Sequence, residues 1–477
     1  MTEKNVRLEE DSLGKMEVDK EAYYGVHSLR ALENFTITGH GPDVRFTRSL
    51  VEVKKACAIT NQKVGLLSAR KGQAIVQACD RILQGEFLDQ FITDAVQGGA
   101  GTSFNMNANE VIANIAQESL GGAKGAYDLV HPNDHVNMGQ STNDVIPTAG
   151  KMTMIRYFQD LDVEVRDLIA AMDEKAEAFD DYVKIGRTQL EDAVPIRLGQ
   201  EFAAYASVLR RDRKRFKQGI ETLSTVNLGG TATGTGLNAD PDYVKEVVPC
   251  LNQVSGLSLN QAENLIDGTQ NLDGFLFASS ILKTLAASLS KISNDLRLMG
   301  SGPLTGLGEI QLPARQAGSS IMPGKVNPVI PEVVNQVAFN VFGNDTTVAM
   351  AVEAGQLELN AFEPVIFYNI FESFRSLIGA IHTLRIHCVE GIQADKKRLA
   401  DLVNISIASI TALAPHIGYM NASHIAKQAL QSHKTVRELV LENKLMDEET
   451  LNKIMDPYKM TMPGVIEEEL IRNRKEE

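Results

Sequence analysis

The sequence predicts an all-α protein built around a bundle of long helices. Two observations carry this reading: strand signals are scarce, and apolar residues recur at helical spacing over long stretches. From Ile155 they run Ile155, Phe158, Leu161, Val165, Leu168, Met172, Ala176 and Phe179, in steps of three and four. Glu164, Asp167, Asp173 and Glu177 fill the gaps. Comparable stretches begin near Pro195, Leu272, Pro328 and Pro364, each long enough for a helix of about 20 residues or more. Helices of that length, all drawn from the middle of the chain, pack most naturally as one bundle. Stretches such as Phe275–Leu289 are apolar on more than one stripe, which predicts cover by helices of other subunits. Residues 1–140 and 397–477 read as shorter helical domains with more loop, flanking a bundle domain at 141–396, and 466–477 reads as a charged helix end.

A chain of 477 residues exceeds what one hydrophobic core usually supports, so two or three domains are expected. Hydrophobic residues make up 43% and charged residues 23%, an ordinary globular composition that excludes disorder. The net charge is −14, with acidic residues spread along the chain, which argues against nucleic-acid binding. It also means that an anionic substrate needs a locally positive pocket. The sequence has no apolar run of about 18 residues, the length of a membrane span, and its charged opening, Met1–Glu10, lacks a secretory signal. The four cysteines, Cys57, Cys79, Cys250 and Cys388, are scattered without paired spacing. They read as buried thiols of a reducing compartment, so the expected location is cytoplasmic.

The motifs of several enzyme classes are missing. There is no HExxH, no paired CxxC and no GxxxxGK[ST], and none of the nine histidines lies between His135 and His382. A zinc hydrolase, a resident metal and a nucleotide-driven reaction are therefore not expected. The Gly-rich stretch Asn227–Asn238 lacks the lysine and the preceding strand of a phosphate loop and reads as a flexible turn.

Four polar segments remain, each read as a small-residue loop leading into a helix. They are Gly98–Glu110, with Thr102 and Ser103 at a helix start; His131–Asp144, ending in Ser141-Thr142-Asn143-Asp144; Gly186–Pro195; and Gly318–Pro328. In the last, Asn327 reads as a helix cap and Pro328 as the first helical residue. Helix N-termini present unpaired N–H groups and a positive dipole end, so each segment either caps its helix or holds a carboxylate. In the fourth, Gly318-Ser319-Ser320 and Pro323-Gly324 bracket Ile321 and Met322, a loop able to bend and move that carries Lys325 within reach of an anion. Two apolar residues there fit poorly with a purely solvent-exposed loop.

GSSIMPGKVNP, from Gly318 to Pro328, resembles the mobile loop of the fumarase/aspartase superfamily, and the resemblance extends over essentially the whole chain from Tyr23 onward. Details are closer to the aspartase branch than to class II fumarases. Ala100-Gly101-Thr102-Ser103 replaces a GSGT-type segment, Thr142 stands where fumarases usually have a second serine, and Tyr23–Phe35 lacks their tryptophan. Gln189 occupies a position that is histidine in fumarases and some aspartases. The resemblance implies removal of ammonia from L-aspartate to give fumarate, with Ser319 as the base, acting as an alkoxide. It implies that Thr102, Ser141, Thr142 and Ser320 donate to the β-carboxylate, that Lys325 and Asn327 bind the α-carboxylate with Thr188, and that Asn143 and Gln189 hold the amino group. It further implies no organic or redox cofactor, three domains, and a homotetramer on a shared helical core whose active sites are each made by three subunits. Fumarate hydration, or a catalytically idle structural protein on the same fold, are the alternative readings. The intact Ser319, Lys325 and hydroxyl set argues against the second.

Overall fold

The structure, a computed structural model, describes residues 5–318 and 320–476. The chain opens with an antiparallel ribbon, β1 (Val6–Asp11) and β2 (Gly14–Asp19), followed by α1 (Val26–Asn34), α2 (Val44–Lys63), α3 (Ala69–Leu83) and α4 (Thr102–Ser119). The long α5 (Thr142–Ala178) leads into a hairpin, β3 (Val183–Thr188) and β4 (Glu191–Arg197), and then α6 (Leu198–Leu223). Next come β5 (Thr225–Val226), α7 (Pro241–Ser255), β6 (Asn260–Gln261), α8 (Leu265–Gln270), α9 (Asp273–Met299) and β7 (Ile310–Gln311). Beyond these lie α10 (Val329–Glu353), α11 (Glu363–His387), β8 (Gln393–Ala394), α12 (Lys396–Ile405), α13 (Ile410–Ile417), α14 (Tyr419–Ser432), α15 (Val436–Glu442), α16 (Glu448–Ile454) and α17 (Glu469–Glu476). About 62% of the chain is helical and the described strands form only two-stranded pairs, so the protein is all-α.

The long helices stand where the spacing predicts, with shifted starts. The Ile155 pattern belongs to a helix that begins at Thr142, and Pro195 lies in β4, so the next helix starts at Leu198. Pro328 precedes α10 instead of opening it: its carbonyl accepts the first turn's bond from Glu332 N–H at 3.2 Å. Of the cysteines, Cys57, Cys79 and Cys388 are buried thiols, while Cys250 is only half-buried.

The chain divides into two compact units. The first comprises 1–162, 214–286 and 339–378, and the second 163–213, 287–338 and 379–477. In the first unit an aromatic core forms around Phe158, which packs edge-on to Phe374 at 4.7 Å and against Phe216 at 5.7 Å. Phe367 stacks on Phe371 and meets Phe275 edge-on at 5.2 Å. Gly150 lets α5 and α11 approach, because a Cβ there would fall 2.4 Å from the Phe367 ring. The first turn of α1 is held by Glu110, whose buried carboxylate accepts from the N–H groups of Gly25, His27 and Ser28.

The second unit has a separate small core of Leu413, Ile425, Val436, Leu439, Val440, Leu451 and Ile454. Among the described residues one helix, α9, is long and apolar enough to cross a membrane by length and composition, and 56% of that stretch is buried. In the first unit its Phe275, Ala278, Ile281 and Leu285 are buried, as those of a core helix are.

Phe158 tests the first core. Phe158→Ala removes a fully buried ring with two aromatic partners and should destabilise the protein by about 3–5 kcal/mol, read as a lowered urea midpoint at unchanged slope.

Candidate active site

In the first unit, two helices begin side by side. Gly99, Ala100 and Gly101 all have positive φ (80°, 57° and 88°), a left-handed run that turns the chain sharply into α4. Gly101 lies against α5, where a Cβ would sit 3.2 Å from Ile146 Cγ2. Thr102, exposed at the start of α4, donates its hydroxyl to the Gly99 carbonyl at 2.7 Å. Ser141, Thr142 and Asn143 open α5. Ser141 Oγ accepts from Asn143 N–H at 3.2 Å, and Thr142 Oγ1 accepts from Asn105 Nδ2 at 3.2 Å. Asn143 donates Nδ2 to the Ala232 carbonyl at 2.7 Å, which fixes the amide so that its Oδ1 faces the other way as an acceptor.

Asp144 organises this corner. It is fully buried, and its carboxylate accepts from the N–H groups of Ser141 (2.9 Å), Gly229 (3.1 Å) and Thr231 (3.1 Å). Burial pushes its carboxyl up to about 6, against the pull of those N–H groups and of Lys54. Lys54 is equally buried, and desolvation brings its ammonium down to about 8. Pro147, inside α5, has no N–H, so the carbonyl of Asn143 lacks its helical donor; Asn227 Nδ2 supplies one at 2.9 Å. The Asn227–Asn238 stretch is thus a packed clamp on the start of α5. A two-residue strand, β5, precedes it, and Asn227–Thr231 are buried, so the reading as a flexible turn without a strand is corrected.

In the second unit, Gly186–Pro195 forms the β3–β4 hairpin, not a loop running into a helix. Thr188 pairs with Glu191, and the tip is Gln189-Leu190 with φ of 57° and 66°, a type I′ turn made without glycine or asparagine. Thr188 and Gln189 are exposed there. The base is ionic: the fully buried Glu309 pairs with Arg187 at 2.6 Å and Lys184 at 2.8 Å, and Lys184 also pairs with Glu201 at 3.0 Å. The Glu309 Oε2–Lys184 contact is an ion pair without hydrogen-bond alignment. Ser320 and Lys325 are exposed and Asn327 is half-buried, while Ser319 lies outside the described residues. Ile321 and Met322 are also exposed, at 85% and 47%. The loop closes on itself at its ends, since a Cβ on Gly318 would fall 1.5 Å from the Lys325 carbonyl oxygen.

The first unit therefore gathers Thr102, Ser141, Thr142 and Asn143, and the second carries Thr188, Gln189, Ser320, Lys325 and Asn327. The motif reading missed Asn105, Asn109, Asn137 and Lys54, which lie beneath the hydroxyls. A signal for the first two was present: Asn105, Asn107 and Asn109 are poor helix formers in alternate positions of a helix that is otherwise apolar, and all are buried. A cavity of about 570 Å³ in the first unit is lined by Phe46, Phe104, Phe367, Tyr368 and Phe371 together with charged residues such as Asp43, Glu372 and Arg375, and none of the proposed contacts lines it. Among the described residues no three His, Cys, Asp or Glu side chains group to hold a metal ion.

By family the chain is a lyase. Residues 14–343 match the family described as Lyase, and residues 410–462 match the fumarase C C-terminus. The chain belongs to the fumarase/aspartase superfamily. It is 50% identical over 98% of its length to the aspartate ammonia-lyase of Bacillus subtilis, covering 99% of that protein. It is 51% identical over 96% of its length to that of Pseudomonas aeruginosa, covering 98%. A solved fumarate lyase:delta crystallin from Brucella melitensis bound to cobalt superimposes with a TM-score of 0.94 at 50% identity, over 96% of this chain and all of that one. Class II fumarase from Schistosoma mansoni superimposes with a TM-score of 0.93 at 35% identity, over 96% of this chain and 99% of that one.

The buried carboxylate gives a pH test. The folded carboxyl of Asp144 titrates at about 6, above its ordinary 3.8, so the native state holds this proton more tightly than the unfolded state. Its contribution is favourable below the ordinary value and is lost as pH rises through about 6. Asp144→Asn removes this titration and should lower stability through the lost N–H acceptors, by about 1–3 kcal/mol. The wild-type advantage over the variant should be larger by about 1 kcal/mol at pH 5 than at pH 7, in urea titrations at fixed protein concentration.

Proposed function

We infer that this carbon–nitrogen lyase removes ammonia reversibly from L-aspartate to give fumarate. The observation that carries this is the half identity to aspartate ammonia-lyases over nearly the whole chain, against 35% to a class II fumarase. The C3 proton of aspartate is weakly acidic, so a base alone is insufficient and the dianionic aci-carboxylate formed on its removal must be held. Ser319 is the base. Its alkoxide needs loop N–H groups and the Lys325 charge in a site that excludes water. Ser141 and Thr142 each receive a hydrogen bond at oxygen, which leaves their protons for the β-carboxylate. Ser320 and Thr102 complete this set; Thr102 must first turn its hydroxyl from Gly99. A donor aimed at developing charge contributes about 3 kcal/mol. Asn143, whose Oδ1 is turned outward, accepts from the ammonium together with Gln189, and Lys325, Asn327 and Thr188 hold the α-carboxylate.

By chain segment this reading has three domains, 1–140, 141–396 and 397–477, drawn differently from the two compact units, and the location is cytoplasmic. The protein assembles as a homotetramer through the long helices, whose Phe277, Leu298, Val333, Phe339 and Met350 are between 39% and 69% exposed in one chain. Each active site takes its Thr102, Ser141–Asn143, Thr188–Gln189 and Ser319–Asn327 segments from three different subunits.

Absorbance at the fumarate band tests the substrate. It should rise when the protein meets L-aspartate and stay flat with L-malate; a rise with malate alone would make the protein a hydratase.

Shared sites predict complementation. Ser141→Ala and Ser319→Ala tetramers should each lose about 10²-fold or more in turnover. Dissociated together and reassembled, they should regain part of it. Mixed tetramers confirmed by mass with no recovery would mean that one chain builds its site alone.

A further inference from the structure

Beneath Thr142 lies a chain of polar groups whose direction is set at one end. Lys54, with no exposed surface, donates from Nζ to Asn137 Oδ1 and to Gln140 Oε1, each at 2.9 Å. An ammonium has donors only, so both facing atoms must be oxygens, and the orientation of two otherwise ambiguous amides is fixed. Asn137 Oδ1 also receives Asn109 Nδ2 at 3.2 Å and Asn105 Nδ2 at 3.3 Å. Asn105 therefore turns its NH₂ toward Asn137, and the second hydrogen of that NH₂ goes to Thr142 Oγ1 at 3.2 Å. With the amide reversed, Asn105 Oδ1 would face Asn137 Oδ1 and take the Thr142 proton inward. As it stands, Asn105 Oδ1 and Asn109 Oδ1 are buried without a hydrogen-bond partner among the described residues, an orientation that leaves two carbonyl oxygens unsatisfied.

From this geometry we propose that Asn105 is a positioning residue: oriented by Asn137 and Lys54, it occupies a lone pair of Thr142 and forces that hydroxyl to act as a donor toward the substrate carboxylate. The inference rests on the reading of Thr142 as a substrate contact. It gives the buried lysine a catalytic consequence at three removes, through Asn137, Asn105 and Thr142, without contact with the reacting atoms. It also separates two hydroxyls that sequence treats alike. Thr142 has its proton directed outward by the protein, while Thr102 has its proton engaged by Gly99.

A cross-brace between α4 and α5 would need only the volume of Asn105, whereas the proposal needs its NH₂. Asn105→Ala should lower kcat for L-aspartate roughly tenfold or more with little change in Tm. Asn105→Asp keeps the shape but presents oxygen to Thr142, reversing the hydroxyl, and should be worse than alanine. A packing role reverses that order, and so overturns the proposal. The deciding measurement is a double-mutant cycle with Thr142→Val: once the hydroxyl is gone, Asn105→Ala should change kcat by less than about twofold. Equal losses in both backgrounds would show that Asn105 does not act through Thr142. If the aspartate variant does not fold, the alanine–valine cycle still decides. If Asn105→Ala does not fold, Asn137→Ala, which frees the Asn105 amide to turn, takes its place with the same expectation. Should the wild type release no fumarate from L-aspartate, the functional reading fails separately. The same cycle is then read by calorimetric binding of succinate, a dicarboxylate that needs no turnover, with the same non-additivity expected and simple additivity overturning the proposal.

Discussion

Asp144 is a carboxylate with no solvent contact, held by three backbone N–H groups from two distant stretches of chain. Burying such a group is costly, and the N–H groups of Ser141, Gly229 and Thr231 with the charge of Lys54 offset part of that cost. The start of α5 is consequently fixed from within. Ser141 is placed by its N–H to Asp144, and the Asn143 carbonyl, released by Pro147, is taken by Asn227. Asn143 returns a bond to Ala232 in the same clamp. The polar row that opens α5 thus stands on a second, buried polar row.

The two units support their functional side chains in different ways. In the first, neutral amides and the buried Lys54 sit beneath Thr142, and Asn105 occupies one lone pair of its hydroxyl. In the second, a hairpin is anchored by ion pairs at Glu309, and its tip carries Gln189 and Leu190 into solvent. Glu201, half-buried in that cluster, has its carboxyl raised by burial against the pull of Lys184.

The long helices were legible because strands and loops do not sustain an apolar period of three and four over many turns. The helix starts at Thr102 and near Ser141 were legible for a related reason: hydroxyl and amide residues gather where N–H groups lack partners. The hairpin was not. Gly186–Pro195 has no alternating apolar pattern, contains a proline, and turns at Gln189-Leu190, residues that do not announce positive φ. Glycines misled at Asn227–Asn238, where Gly229 and Gly234 serve close packing: a Cβ on Gly234 would fall 2.4 Å from the Ile266 backbone. The Lys54–Asn137–Asn105 chain joins residues more than 80 positions apart in its first step, and no local pattern encodes it. Family resemblance supplied the roles of residues on the loop from Gly318 to Pro328, which composition and spacing alone left open between capping and binding.

The hairpin's construction bears on how this protein could diverge. Its register and anchoring reside in Arg187, Lys184 and their buried partners, and its turn in backbone angles at positions 189 and 190. The side chain of Gln189 enters neither. Exchanging glutamine and an imidazole at this exposed position alters what the tip offers in acidity and hydrogen bonding while the ion pairs at the base stay in place, a freedom that β-branched residues, strained at a φ of 57°, do not share. On the reading of Gln189 as a substrate contact, this tip offers a route to new chemistry that eases the usual trade against a stable fold.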